Sequence, residues 1–67
     1  MSIARVTEIT ASSSKSFDEA LRQGVARAAK TLHNVTGAWL QDQEVRIEDG
    51  KIVDYRVHLK VTFILDD

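Results

Sequence analysis

The sequence predicts an α+β fold in which a three-stranded antiparallel sheet packs on one helix, in the order β-α-β-β. Three observations indicate this fold: apolar and polar residues alternate near both ends of the chain, an amphipathic stretch lies between them, and an Asp-Gly pair joins two strand-like segments. The chain has 67 residues, so we expect a single domain over residues 1–67.

The first strand is predicted over SIARVTEIT, residues 2–10. Its side chains alternate, so that Ile3 and Ile9 point to one side of the strand and Val6 and Glu8 to the other. The segment ASSSK that follows is expected to end this strand.

The helix is predicted to begin after Ser16 and to end near residues 33–34. Ser16 and Glu19 have the spacing of a capping box, in which each side chain binds a free backbone N–H of the first turn. Glycine costs up to about 1 kcal/mol relative to alanine inside a helix, so Gly24 indicates close approach by the sheet or by a neighbouring subunit. The apolar stripe consists of Phe17, Leu21, Val25, Ala28 and Leu32.

The last two strands are predicted to form a hairpin. GAWLQDQEVRI, residues 37–47, is the second strand, and Asp49-Gly50 is the turn. In the third strand, residues 53–65, apolar side chains occupy every odd position and polar side chains most even ones. The third strand is placed between the other two and antiparallel to both.

The predicted helix is shorter than the last strand. A helix of about 16 residues spans roughly 24 Å, whereas a strand of about 13 residues spans roughly 43 Å. Val61, Phe63 and Leu65 are therefore expected to lie beyond the helix and to be covered by neighbouring copies. A small domain without cysteine also needs support other than disulfides, which again favours an oligomer.

Composition argues against several classes of protein. Nine basic and ten acidic residues give a net charge of −1, which does not suit a non-specific nucleic-acid binder. The sequence has neither a membrane-spanning apolar run nor a secretory signal, so we expect a cytoplasmic protein. It has no cysteine, its two histidines are well separated, and no nucleophile is paired with a base. We therefore expect neither a zinc site nor catalytic residues.

The orientation of Trp39 depends on the hairpin register, which the sequence leaves open. A two-residue turn pairs Trp39 with Lys60 and places it on the polar face, away from the helix. A three-residue turn with a bulge moves Trp39 and Val45 to the face of Val57, because a slip of one residue exchanges the two faces.

In the polar-face arrangement, one surface is expected to carry all the candidate ligand-binding side chains. The indole offers a stacking plane, the glutamine amides can hydrogen-bond the edge of a heteroaromatic ring, and the arginine can hold a phosphate. The alternative is an ordinary sheet face with cross-strand polar pairs. The candidate residues are Trp39, Gln41, Gln43, Arg56 and His58.

Three segments, ARVTEITASSSKSFDEAL, ARAAKTL and YRVHLKVTFILDD, make the chain resemble the dodecins over nearly its whole length. The resemblance implies a hollow, spherical homododecamer that binds a small molecule without turning it over. In the better-known dodecins the ligand is a flavin, so FMN or riboflavin is expected here. Those dodecins stack flavins in pairs between tryptophans of symmetry-related subunits, and their proposed role is storage, buffering or photoprotection.

The chain departs from the flavin-binding pattern at three positions. The tryptophan that follows the helix in these dodecins falls on Gly37, two residues before Trp39. The glutamine of their Y-Q pair falls on Arg56, and an arginine of the second strand falls on Glu44. A second branch, the calcium dodecins, lacks the tryptophan and has Y-R at that point. The alternative prediction is thus an ion-binding shell that uses carboxylates such as Asp42, Glu44, Asp66 or Asp67.

Overall fold

The structure, a computed structural model, describes residues 3–65 and confirms the predicted element order. The three strands form one antiparallel sheet with the last strand in the centre, and the helix lies on one face of it. The predicted α+β fold is therefore correct. The elements are β1 (Ala4–Ser13), α1 (Phe17–Thr31), β2 (Val35–Glu48) and β3 (Lys51–Ile64).

Strand β1 continues beyond residue 10, so the prediction that ASSSK ends it there is wrong. Ala11 and Ser13 still pair with β3, opposite Val57 and Tyr55. Serine and alanine favour strands only weakly, but the backbone ladder to a central strand outweighs that local preference. The strand ends where the chain must leave the sheet to enter the helix.

Helix α1 begins with the predicted cap. The Ser16 hydroxyl accepts a hydrogen bond from the backbone N–H of Glu19 at 3.0 Å, and Ser16 itself is extended. The carboxylate of Glu19 accepts a hydrogen bond from Gln23 instead of returning to Ser16. The helix ends at Thr31, slightly before the predicted end. Among residues 3–65, no helix is both long enough and apolar enough to cross a membrane.

The core lies between α1 and the middle of β3. Gly24 lies where the helix comes closest to the sheet: a Cβ there would be 3.0 Å from the Cβ of Ala11 and 3.1 Å from Cδ1 of Leu59. The sheet, which was one of the two expected neighbours, therefore explains this glycine. The buried apolar side chains are Ala20, Ala28, Val57, Leu59 and Val61.

The helix leaves one end of the sheet uncovered, but not the end that was predicted. Fifteen helical residues span about 22 Å, whereas the molecule is 51 Å long. Val61 is fully buried, so the expectation that it needs a neighbouring copy is wrong, although Leu65 is exposed. The helix runs back along β1 and so covers the part of β3 that pairs with β1. The uncovered end is the hairpin, where Ile47 is 61% exposed and Ile52 is 52% exposed.

The β2–β3 hairpin has the two-residue turn, but neither predicted register holds along its whole length. Asp49 and Gly50 both have positive φ, at 51° and 75°, and Glu48 pairs with Lys51. These are the features of a type I′ turn. Further along, the pairing leaves one residue unmatched at three places: Val53 on β3, then Gln41 and Thr36 on β2.

Candidate functional site

The sheet face opposite the helix carries polar side chains from all three strands, and we call it the polar face. Its centre is the even-numbered positions of β3, which alternate with the buried odd-numbered ones. Three cross-strand rows build it, because residues paired across antiparallel strands project to the same side. From β1 to β2, these rows are Ser12–Arg56–Glu44, Thr10–His58–Asp42 and Glu8–Lys60–Trp39.

His58 lies at the middle of the polar face and contacts both neighbouring strands. Its Nδ1 atom is 3.3 Å from Oγ1 of Thr10, and its Nε2 atom is 3.1 Å from Oε1 of Glu44. The Oδ1 atom of Asp42 is 3.6 Å from the same Nε2 atom. The geometry suits an imidazole that donates from Nε2 to a carboxylate and accepts from the threonine hydroxyl at Nδ1. His58 therefore serves as a cross-strand connector here.

Both central cations of the polar face have a carboxylate partner. Arg56 is 3.7 Å from Glu44 and donates from Nε to the hydroxyl of Ser12 at 3.4 Å. Lys60 is 3.7 Å from Glu8, and its ammonium lies 5.8 Å from the centroid of the Trp39 ring system. These pairs are partly exposed, so each contributes little to stability. Their main effect is on the local charge that a ligand would meet.

Trp39 lies on the polar face, as the two-residue turn predicted, and its side chain is 47% exposed. Trp39 shares this face with Asp42 and Glu44, although they lie three and five residues away and regular alternation would place them on the other face. The unmatched residue Gln41 between them is the reason. A bulge of one residue inverts the alternation on the bulged strand. Leu40, on the opposite face, pairs with the buried Leu59.

The structure brings together three of the five predicted ligand-binding residues. Trp39, Arg56 and His58 share the polar face, whereas Gln41 occupies the bulge. The prediction that Gln43 lies on the same face is wrong. Gln43 pairs with Val57 and therefore projects to the helix side, because the bulge separates it from Trp39.

A small depression marks the place where the bulge meets β3. It has a volume of about 140 Å³ and is polar, and it is lined by Glu8 and Thr10 of β1, His58 of β3, and Gln41 and Asp42 of β2. A second, larger groove of about 470 Å³ runs between α1 and β1 on the helix side and is mainly apolar. Of the two, only the small depression adjoins the candidate ligand-binding residues.

The two-residue register predicted that Trp39 pairs with Lys60, and the structure confirms this pair. Sequence reasoning missed Asp42 and Glu44 as partners of His58. That register places both carboxylates on the helix side, and the unmatched residue Gln41, between them and Trp39, turns them to the polar face. Among residues 3–65, no group of three or more His, Cys, Asp or Glu side chains is arranged to hold a metal ion. Asp66 and Asp67 lie outside the described residues.

Comparisons with known proteins place this fold in one family. The family model described as Dodecin matches residues 3–66. The dodecin of Streptomyces coelicolor is 33% identical, with a TM-score of 0.93 over 98% of this chain and 94% of that chain. The dodecin of Streptomyces davaonensis is 36% identical, with a TM-score of 0.92 over 98% and 97%.

A calcium dodecin from Mycobacterium tuberculosis, described as a calcium-chelating immunodominant antigen, is also similar. It is 28% identical, with a TM-score of 0.83 over 96% of this chain and 91% of that chain. No curated protein matches the chain. The family model covers nearly all of the sequence and the two Streptomyces structures match almost end to end, so the chain belongs to the dodecin family.

Proposed function

We propose that the chain is a non-catalytic flavin-binding protein that stores or buffers FMN or riboflavin in a hollow homododecamer. Membership in the dodecin family implies small-ligand binding without turnover and self-association. The observation that carries the choice of ligand is the half-exposed indole of Trp39 on an edge strand that the helix leaves largely uncovered. The cytoplasmic location expected from the sequence stays a prediction.

The surroundings of Trp39 support a stacked heteroaromatic ligand. The Lys60 ammonium lies over the Trp39 ring system, 5.8 Å from its centroid. The remaining indole surface is left for the aromatic ring of a ligand. Gln41 at the bulge and His58 beside it provide polar groups for the edge of an isoalloxazine. Arg56 completes the proposed set, and Gln43 is left out of it because it projects to the helix side.

The exposed apolar side chains support an assembly. A single chain leaves Val6, Leu40, Ile47 and Ile52 exposed on both edge strands and at the hairpin. Monomeric proteins rarely expose large contiguous apolar surfaces, and neighbouring copies of the same chain would cover these residues. A core of only five buried apolar side chains among the described residues also needs such support.

Native mass spectrometry of the purified chain is expected to show a dominant assembly of twelve chains at micromolar concentration. The reason is the uncovered hairpin end, which cannot be buried within one copy. The measurement is repeated over a tenfold dilution series to separate a stable shell from transient association. A dominant monomer or dimer would contradict the proposed assembly.

Replacing Trp39 with alanine is expected to weaken riboflavin binding at least tenfold, which corresponds to about 1.4 kcal/mol. A stacked aromatic pair contributes about 0.5–1.5 kcal/mol beyond its burial, and two indoles can act on one ligand pair in the assembly. The measurement is a titration of riboflavin fluorescence, which stacking quenches. Native masses of wild type and variants establish that all form the same assembly.

The matched control for this titration is Leu40→Ala. Leu40 is adjacent in sequence and nearly as exposed, at 43%, but it projects to the opposite face. We expect it to leave the affinity within about threefold of wild type, a difference below 1 kcal/mol. Equal losses for the two variants, or no quenching by wild type, would refute Trp39 as the ligand platform.

Calcium is the second candidate ligand, and one observation favours it. Asp42 and Glu44 project to the same face and both approach Nε2 of His58, at 3.6 and 3.1 Å. Calcium takes six to eight oxygen ligands, so carboxylates of neighbouring copies would have to complete such a site. An ion-binding shell would bind calcium in a calorimetric titration and leave riboflavin fluorescence unchanged.

A further inference from the structure

The charges around Trp39 have a consequence for the chemical form of the ligand. Most charged side chains of the polar face are matched in pairs, but their sum is negative. Four cations face five carboxylates when His58 is neutral. The cations are Arg46, Lys51, Arg56 and Lys60, and the carboxylates are Glu8, Asp42, Glu44, Glu48 and Asp54.

The cations nearest to Trp39 already have partners. Lys60 pairs with Glu8 at 3.7 Å, and Arg56 is 3.7 Å from Glu44. A phosphate group that approached either cation would have to displace the carboxylate bound to that cation or remain close to this carboxylate. Because like charges repel and the pairs lie at a partly exposed surface, such an approach is unfavourable at low salt and less so at high salt.

The carboxylate of Asp42 strengthens this effect. It lies beside the bulge and lines the small depression next to the proposed ligand-binding residues. Its nearest cationic candidate is His58, which is charged only when protonated and already contacts Glu44. At a pH where the imidazole is neutral, Asp42 therefore adds negative charge where the ligand would meet the sheet.

We propose that the polar face selects an uncharged planar heteroaromatic ligand over its phosphate ester, and that Glu44 is a main determinant of this selectivity. The inference rests on the proposed function and concerns the same site. For flavins, it means that riboflavin binds more tightly than FMN, although the two have the same isoalloxazine ring. The isoalloxazine ring of either ligand can stack on the indole of Trp39. Only FMN carries a phosphate, which the carboxylates of the polar face repel.

The test compares the affinities of riboflavin and FMN by fluorescence quenching at about pH 8, where a phosphate monoester is doubly charged. We expect a preference for riboflavin of at least about threefold at low ionic strength, which shrinks as salt is added. FMN binding as tightly as riboflavin, or more tightly, would overturn the proposal. Quenching by neither flavin would overturn the proposed function together with this inference.

Glu44→Gln is expected to abolish most of the preference. It removes one carboxylate and frees Arg56 for a phosphate, so the affinity for FMN should rise while that for riboflavin stays within twofold. The matched control is Glu48→Gln, which makes the same charge change beside the turn, where Glu48 pairs with Lys51. The proposal predicts an unchanged preference for that control. If both variants shift the preference equally, the net charge of the protein and not the carboxylate at position 44 determines selectivity, and the proposal is wrong.

Discussion

Replacing Leu59 with alanine is expected to lower the apparent free energy of unfolding by about 2–5 kcal/mol. Leu59 is 1% exposed and is one of the largest fully buried side chains, at the centre of β3. It pairs with Ile9 on β1 and Leu40 on β2, and it contacts the helix beside Gly24. Truncation would leave a cavity where the helix, the central strand and β1 meet. Urea denaturation followed by circular dichroism, at a fixed chain concentration, measures the effect.

The matched control is Lys60→Ala, one residue further along the same strand and on the opposite face. It removes a partly exposed ion pair with Glu8 and a contact with Trp39, which together contribute about 1 kcal/mol or less. We expect this variant to unfold close to wild type. Equal losses for the two variants would show that the core does not depend on the odd-numbered face of β3.

Gly24→Val is expected to destabilise the protein by about 1–3 kcal/mol through overpacking. Even the first added carbon would lie 3.0 Å from the Cβ of Ala11, which is fixed to strand β1 and cannot rotate away. The helix must then move away from the sheet, or the strand must shift. Thermal unfolding at matched chain concentration measures this loss, and native mass spectrometry shows whether the assembly survives.

Ala26→Val serves as the control for this second variant. Ala26 is exposed on the same helix, so valine there tests only the intrinsic cost of a β-branched side chain, up to about 0.7 kcal/mol. At position 24 that intrinsic preference favours valine over glycine, so any loss must come from the contact with the sheet. A Gly24→Val protein as stable as wild type would contradict the close packing described here.

The fold could be predicted because its main signals are local. The Ser16 cap, the apolar stripe of the helix, the Asp49-Gly50 turn and the alternation along β3 each depend on a few neighbouring residues. Together they specified the order of the elements, and the single helix and the turn left few ways to join them. The family resemblance, read from longer segments, agreed with the same architecture.

The candidate site was predicted only in part because its geometry depends on how strands pair. Trp39, Arg56 and His58 share one face as expected, but Gln43 does not. The residues of β2 that lie beside His58 and Arg56 are instead Asp42 and Glu44.

The two-residue register holds beside the turn and again at Trp39. Between Asp42 and Arg46 the pairing is shifted by one residue, in the direction opposite to the shift that the three-residue turn would produce. Only the facing there, with Val45 toward the side of Val57, agrees with the three-residue alternative.

The sequence by itself determined the elements, the buried face of β3 and the candidate aromatic residue, because these follow from spacing and residue type. Only the tertiary structure decided which residues stand beside Trp39 and which end of the sheet lacks cover. The unmatched residues Thr36, Gln41 and Val53 each shift the pairing by one position. One such shift exchanges the two faces of a strand. The cause is therefore the backbone ladder between distant segments, which leaves no periodic trace in the sequence.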